Sequence, residues 1–359
     1  MEQFDCTPGF LELISCPAFF VKNGLVTCAN SDAQNLLITP GTSVDTLIET
    51  GKNDYNCMRQ ESCLSLSIQT EGRRFCAFVN RKEDTDLFLL DQEENDPTQL
   101  ALSLASCSFR GPLNRVMSGA DCIRRLPGEL DPKVSKYLNE ISKGAYQILR
   151  LVTNMSDLIP YSQERFFCQL LDIPKELEEI VQKAAILLEQ NNVCLRFSTS
   201  VKNLIMPANK EKLERAVHNL ILNAATYPSG KEPLKIEVAL KQVDSQVHIT
   251  VSDNGRGISD EIFSSLFYRY RRTPSVENCR YGIGLGLPLV RAVAIAHGGT
   301  VLIERMNPNG TRVTLTMEIR ECNESMLRAP RLYFDYAGEF DHTLVELSDI
   351  ISSDCYEKM

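Results

Sequence analysis

VSDNGRGIS at residues 251–259 and YGIGLGLPLVRAVAIAHGG at residues 281–299 decide how the rest of this chain is read. Each glycine cluster stands where a regular element begins or ends, which is where backbone can approach a ligand. Gly255 and Gly257 follow a strand pattern and Asp253. Glycine there lets the chain turn and come close to a flat ligand without a Cβ clash. Asp253, at a strand end, can accept a hydrogen bond from an exocyclic amine. Gly282, Gly284 and Gly286 open an apolar helical pattern over residues 287–297. A helix N-terminus offers free N–H groups and partial positive charge, a natural seat for phosphate. The spacing is GxGxG after a loop, not GxGxxG after a strand, so a dinucleotide-binding loop is excluded, and the Walker lysine is absent. Just upstream, the helical stretch 209–227 carries Asn219 and Asn223, four apart and on one face. An asparagine carbonyl is a hard oxygen ligand suited to Mg²⁺, which keeps waters and substrate phosphates in its shell.

These motifs together resemble the ATP-binding domain of sensor histidine kinases, the fold shared with gyrase, over about residues 175–320. The asparagine box is HNLILNAATY (218–227), the first glycine box DNGRGI (253–258) and the aromatic box LFYRYRR (266–272). The second glycine box follows, and then a closing hairpin with Gly310 and Thr311. The resemblance implies that Asn223 holds Mg²⁺, with Asn219 beside it, and that Asp253 hydrogen-bonds the adenine amino group of ATP. It further implies that Gly255 and Gly257 line the adenine pocket, that Gly282, Gly284, Leu285 and Gly286 wrap the phosphates, and that Thr311 lies near the adenine. The lid, about residues 273–281, is short. One departure is Thr226, where the family often has Lys or His.

Around that domain, periodicity predicts an α+β multidomain chain. The ATP-binding region, 166–320, is expected as an α/β sandwich: one mixed sheet covered on one face by helices. Residues 95–165 predict a helical hairpin. Apolar positions run Leu102, Ala105, Phe109, Leu113, Val116, Ala120 and Ile123, then Val134, Leu138, Ile141, Ala145, Ile148 and Val152. Steps of three and four make a coiled-coil seam. A hairpin with one narrow seam buries itself poorly, and a second copy completing a dimeric four-helix bundle solves this. Packing against the same chain's other domains is the alternative. Residues 1–94 predict a small α+β module, with a turn at Asn23-Gly24 and alternating strands over 63–69, 74–80 and 86–90. Its layout, with Gly24, Asn30 and Leu36-Leu37, resembles a PAS sensor domain; a plain packing module is the alternative. The tail, 321–359, carries apolar and aromatic residues and is expected to dock as a short strand and helix.

The hairpin departs from the family at its chemical centre. The family's phospho-accepting pattern is like H-E-x-x-T-P-L-N, whereas residues 106–114 are SCSFRGPLN. Cys107 stands at the His position, Ser108 at the acid and Gly111 at the Thr; the histidines are His218, His248, His297 and His342, none on the hairpin. A thiol near its ordinary pKa is largely protonated at neutral pH, whereas phosphoryl transfer needs an in-line nucleophile with an orienting group. Autophosphorylation on the usual His is therefore not possible. Two readings stay open. In one, a Mg-ATP-binding sensor-kinase-type protein of two-component signalling uses another acceptor or a partner kinase's His. In the other, a non-catalytic, nucleotide-gated adaptor binds a response regulator or a kinase.

Composition narrows the setting. A net charge of −9 argues against a nucleic-acid binder, and with it against a gyrase-like enzyme. Thirteen scattered cysteines without a CxxC pair suit reduced thiols. The N-terminus carries acids where a signal peptide needs bases, and no window approaches the roughly 18 apolar residues of a membrane span. A cytoplasmic location is expected.

Overall fold

The structure, a computed structural model, describes residues 8–12, 14, 16–92, 97–128, 130–156, 168–230, 233–259, 286–306, 309–320 and 340–356. The aromatic box, the lid and residues 332–338 of the tail lie outside these residues, as does all but the first residue of a short helix that the sequence predicts over 259–266.

The N-terminal unit comprises α1 (Pro8–Leu11), β1 (Ala18–Lys22), β2 (Leu25–Ala29), α2 (Ser31–Asn35), β3 (Ile48–Thr50), α3 (Lys52–Cys57), β4 (Ser62–Thr70), β5 (Arg73–Lys82) and β6 (Thr85–Gln92). Its sheet runs β2-β1-β6-β5-β4, all antiparallel, with β3 pairing on β4. Asn23 and Gly24 both take left-handed backbone in the β1–β2 turn, the pairing a two-residue hairpin loop demands. Asn30 is buried and structural. Its Oδ1 caps α2 at Ala33 N, 3.0 Å, and also accepts from Ala18 N, 2.9 Å, while Nδ2 donates to Cys16 O at 2.8 Å. Phe19 and Phe88 stack in the core at 4.9 Å between centroids.

The hairpin is α4 (Pro97–Arg124) and α5 (Pro132–Ser156). Its seam divides in two. Leu113, Ala120, Leu138, Ala145 and Val152 are buried within this chain, whereas Phe109, Val116, Ile123, Val134, Ile141 and Ile148 are exposed. The exposed residues recur every heptad on each helix, forming a second apolar stripe beside the buried one. Pro112 sits inside α4 and removes one helical hydrogen bond.

The C-terminal unit adds β7 (Gln169–Asp172), α6 (Ile173–Glu189), β8 (Val193–Thr199), β9 (Ile205–Ala208), α7 (Lys210–Thr226), β10 (Leu234–Val243), β11 (Gln246–Asp253), α8 (Gly286–Ala296), β12 (Val301–Arg305) and β13 (Thr311–Glu318). Strands β8 and β10 pair in parallel; β10–β11, β11–β13 and β13–β12 are antiparallel. The apolar faces of α6, α7 and α8 share one core with this mixed sheet. His297 ties α8 to the start of α7: its Nε2 accepts from Asn209 N at 3.2 Å while Nδ1 faces Val293 O at 2.8 Å. Burial pushes its imidazole down to about 4, so it stays neutral with a fixed tautomer.

One feature lies outside the expectation of separate modules. The sheet does not end at β12. That strand pairs antiparallel with β4 (Val301↔Ser65, Leu302↔Leu64, Ile303↔Cys63, Glu304↔Ser62), giving one 11-stranded sheet across both units. The junction is sealed by Thr300 Oγ1, which donates to the buried Asp54 Oδ2 at 2.6 Å, and by the Arg291 guanidinium over the Phe78 ring at 4.9 Å. The tail docks as a helix, α9 (His342–Glu346), and a 3₁₀ turn (Ser353–Tyr356), where a strand and a helix were expected; its described residues hold no strand. Val345, Leu347, Ile351 and Tyr356 are fully buried, with Tyr356 against Tyr146 of α5 at 4.9 Å. No helix among the described residues is long and apolar enough to cross a membrane.

The Asp54 contact makes the inter-unit seam testable. Asp54→Ala leaves two buried threonine hydroxyls, Thr300 and Thr316, without their shared acceptor. It is expected to lower unfolding free energy by about 1–3 kcal/mol in urea titration. A loss within a few tenths would show that the seam is held by strand pairing alone.

Candidate functional site

Three chain segments converge where the glycine clusters predicted a ligand: the C-terminal half of α7, the loop after β11 and the first turn of α8. The asparagines come from α7, whose start is set by Asn209, the N-cap that accepts from Lys212 N at 3.0 Å. A side chain at Gly286 would lie 3.0 Å from Asn219 Oδ1 and 3.7 Å from Asn223 Nδ2. Both asparagines thus face the start of α8. Their surroundings differ. Asn223 is half-buried. Asn219 is 1% exposed and held by the protein, donating from Nδ2 to Arg215 O at 2.9 Å.

Beyond the C-terminal end of α7, Asp253 Oδ1 accepts from Gly255 N at 2.8 Å and from Thr311 N at 3.3 Å. Burial pushes its carboxyl above the usual range, and these two N–H donors oppose the shift. Glycine is required here on steric grounds. A Cβ at Gly310, whose φ is +112°, would fall 2.1 Å from Asp253 O, and one at Gly255 would fall 2.5 Å from Tyr227 O. Arg256 N donates to that same Tyr227 carbonyl at 3.1 Å, and its guanidinium lies 4.4 Å from the Tyr227 ring. The loop is thereby pinned to the end of the asparagine helix. Gly257 also has left-handed backbone, next to Gly310.

The structure therefore brings together Asn219, Asn223 and Gly286 in one group, and Asp253, Gly255, Gly257 and Thr311 in another. Gly282, Gly284 and Leu285 lie outside the described residues. Thr226, the departure in the asparagine box, spends its hydroxyl on Leu222 O at 2.7 Å, within its own helix. Cys107 lies in α4, in a stretch where Ser108, Gly111, Pro112 and Asn114 are exposed and Arg110 is half-buried.

The donor set suits Mg²⁺ with a polyphosphate. It offers neutral amide oxygens beside the start of a helix, and no group of three or more His, Cys, Asp or Glu that could hold a metal ion occurs among the described residues. The close approaches at Gly255 and Gly286 form a cradle that a side chain would fill.

Sequence reasoning missed a polar cluster under the asparagine box. Glu346, from α9, is fully buried and bonded by Arg215 Nε at 2.9 Å. Arg150 of α5 lies 3.5 Å from the same carboxylate and also pairs with Asp349. Burial alone would raise the Glu346 carboxyl, but Arg215 and Arg150 outweigh it and hold it below its usual range. Beside them His218 is fully buried and kept neutral by burial. His342 meets Glu214 at 2.8 Å. One acid among the several of the tail gives no pattern to find it by.

Comparison with known proteins agrees with this geometry. Residues 208–321 match the family model described as histidine kinase-, DNA gyrase B-, and HSP90-like ATPase. The histidine protein kinase DivJ of Caulobacter vibrioides is 30% identical over 240 residues, covering 64% of this chain and 40% of DivJ. The sensor protein VanSC of Enterococcus gallinarum is 27% identical over 217 residues, covering 60% of this chain and 58% of VanSC. The crystal structure of full-length ShkA in complex with AMPPNP superposes with a TM-score of 0.49 at 19% identity, covering 62% of this chain and 47% of ShkA. The chain thus spans less than two thirds of each of these relatives. With the ATPase boxes assembled as described, residues 208–321 form a domain of the histidine kinase-, DNA gyrase B-, and HSP90-like ATPase family, and the chain is similar to sensor histidine kinases.

Proposed function

We propose that this chain binds Mg-ATP between α7 and α8 and acts in two-component signalling as a dimer whose phospho-acceptor position is occupied by Cys107. The observation that carries this reading is the convergence of Asn219, Asn223 and Gly286 on one side of α7's C-terminal half, with the Asp253 loop packed on the Tyr227 carbonyl at its end. Asn223 would ligate Mg²⁺, which neutralises phosphate charge when bound. Asp253 Oδ2 would accept from the adenine amino group, since its Oδ1 is already held by Gly255 and Thr311. Gly255, Gly257 and Thr311 would border the adenine. Gly282, Gly284, Leu285 and Gly286 would wrap the phosphates at the start of α8.

Four segments divide the work. Residues 1–94 would serve as a PAS-like input module, and the strand order β2-β1-β6-β5-β4 with helices between β2 and β4 supports that reading. Residues 95–165 would dimerise, 166–320 bind nucleotide, and 321–359 dock on both. A cytoplasmic location fits this assignment. The second apolar stripe of the hairpin supports dimerisation: Val116 is 51% and Ile141 47% exposed in the single chain. Their heptad spacing fits an identical hairpin packed alongside.

What such a protein does with the γ-phosphate depends on α4. Without imidazole at residue 107 or acid at 108, the chain would either hand phosphate to another acceptor, such as a partner kinase's His, or serve as a nucleotide-gated adaptor for a response regulator. The first requires turnover; the second requires binding alone.

Two experiments test these assignments. Cys107→His with Ser108→Glu should gain acid-labile label from γ-labelled ATP where the wild type gains none, and adding Asn223→Ala should abolish it. An unlabelled double variant that also fails to retain ATP in equilibrium dialysis would contradict the Mg-ATP site. Val116→Glu with Ile141→Glu should convert a dimer to a monomer in analytical ultracentrifugation, with helicity unchanged. A dimer that persists would place the interface elsewhere.

A further inference from the structure

The amide of Asn219 is presented to the site in one orientation, and a residue from the far end of the chain sets that orientation. A primary amide can turn over, exchanging its donor nitrogen for its acceptor oxygen. At Asn219, Nδ2 has two acceptors: Arg215 O at 2.9 Å and the Glu346 carboxylate at 3.4 Å. Turning the amide over would set its oxygen against a carbonyl and a carboxylate. Oδ1 is therefore left facing the start of α8, where it lies 3.0 Å from the position a Gly286 Cβ would take. Arg150 donates to the same oxygen at 3.4 Å, consistent with that orientation.

Glu346 is well placed for this task. It is fully buried, and α9 carries it in among Val345, Leu347 and Ile351, which are themselves fully buried. Its charge is matched by Arg215 from the asparagine helix and Arg150 from the hairpin. A carboxylate so enclosed must keep its partners, because losing one leaves an uncompensated buried charge.

We propose that Glu346 is a positioning residue of the nucleotide site, holding the Asn219 amide so that its oxygen rather than its nitrogen meets the metal-phosphate group at α8. The inference rests on the Mg-ATP reading above. It makes the C-terminal segment part of the site: residues about 130 positions apart cooperate to present one oxygen to a divalent cation. Groups that orient a metal ligand typically change metal affinity about 10–100-fold when removed.

The test compares nucleotide affinity of the full chain, with Mg²⁺ and with EDTA, for wild type, Glu346→Gln and Leu344→Ala. Leu344 is an apolar anchor of the same helix, 7% exposed. Glu346→Gln should weaken Mg-ATP by about tenfold while leaving metal-free ATP within about twofold, because adenine recognition at Asp253 is untouched. Leu344→Ala, which only loosens the docked segment, should change both affinities by the same factor. In nucleotide-free protein, the Asn219 side-chain amide resonances should shift in Glu346→Gln. Equal weakening with and without metal in Glu346→Gln, or unshifted Asn219 resonances, would overturn the proposal. A wild-type chain that binds no nucleotide at all would fail earlier and refute the Mg-ATP reading itself.

Discussion

No side chain fits at residue 310, and much of the candidate site follows from that exclusion. The Asp253 carbonyl occupies the space a Cβ would need, 2.1 Å away. The start of β13 can therefore lie directly against the end of β11. That contact brings Thr311 N to Asp253 Oδ1, and Gly255 N closes on the same oxygen from the other side. One carboxylate oxygen is fixed by two backbone donors, and the other keeps its accepting capacity. The loop cannot drift, because Arg256 and Gly255 are pressed on the Tyr227 carbonyl that ends the asparagine helix. Sheet closure thus sets the distance between the asparagines and Asp253, which the proposed function assigns to opposite ends of one nucleotide.

The same sheet joins the N-terminal unit to the site. Strand β12 would be an open edge if the C-terminal unit stood alone, and an unpaired edge invites association with other chains. Strand β4 covers it, and the Asp54–Thr300 bond locks the end of that pairing. Only α8 itself and the short turn after it separate this seam from the start of α8. On the opposite flank, Glu346 bridges Arg150 of the hairpin and Arg215 of the asparagine helix. The asparagine box therefore sits between two inter-segment contacts of different kinds, one a β-ladder and one a buried ion cluster. A ladder tolerates small changes along its length; a buried carboxylate tolerates loss of a partner badly. Movement between hairpin and ATPase unit is more strongly opposed by the second.

Much of this was legible in the chain, for physical reasons. Amphipathic period fixed the helices: the pattern over 209–227 became Lys210–Thr226 with Asn209 as its cap. Alternation fixed the strands, including Thr311–Glu318 as expected. The asparagine and glycine boxes converge because glycine and asparagine there answer local steric and polar demands. The hairpin seam was legible only as one stripe. Which half faces inward depends on three-dimensional packing that periodicity does not carry, so Val116 and Ile141 were not separable from Leu113 and Leu138. The β4–β12 ladder was not legible at all, since backbone pairing between distant strands leaves no mark on side-chain order. Glu346 escaped notice because one acid on an apolar tail helix looks like a solvated residue until Arg150 and Arg215 arrive from other segments.

The most direct measurement is hydrogen–deuterium exchange of the full chain with and without Mg-ATP, resolved to individual peptides. The Mg-ATP reading predicts slower exchange in three peptides together: the end of α7 with Asn223, the loop at Gly255–Gly257, and the first turn of α8 at Gly286. EDTA should remove the protection at α7 and α8 while sparing part of that at the Asp253 loop. Unchanged exchange in all three, at saturating Mg-ATP, would contradict the account.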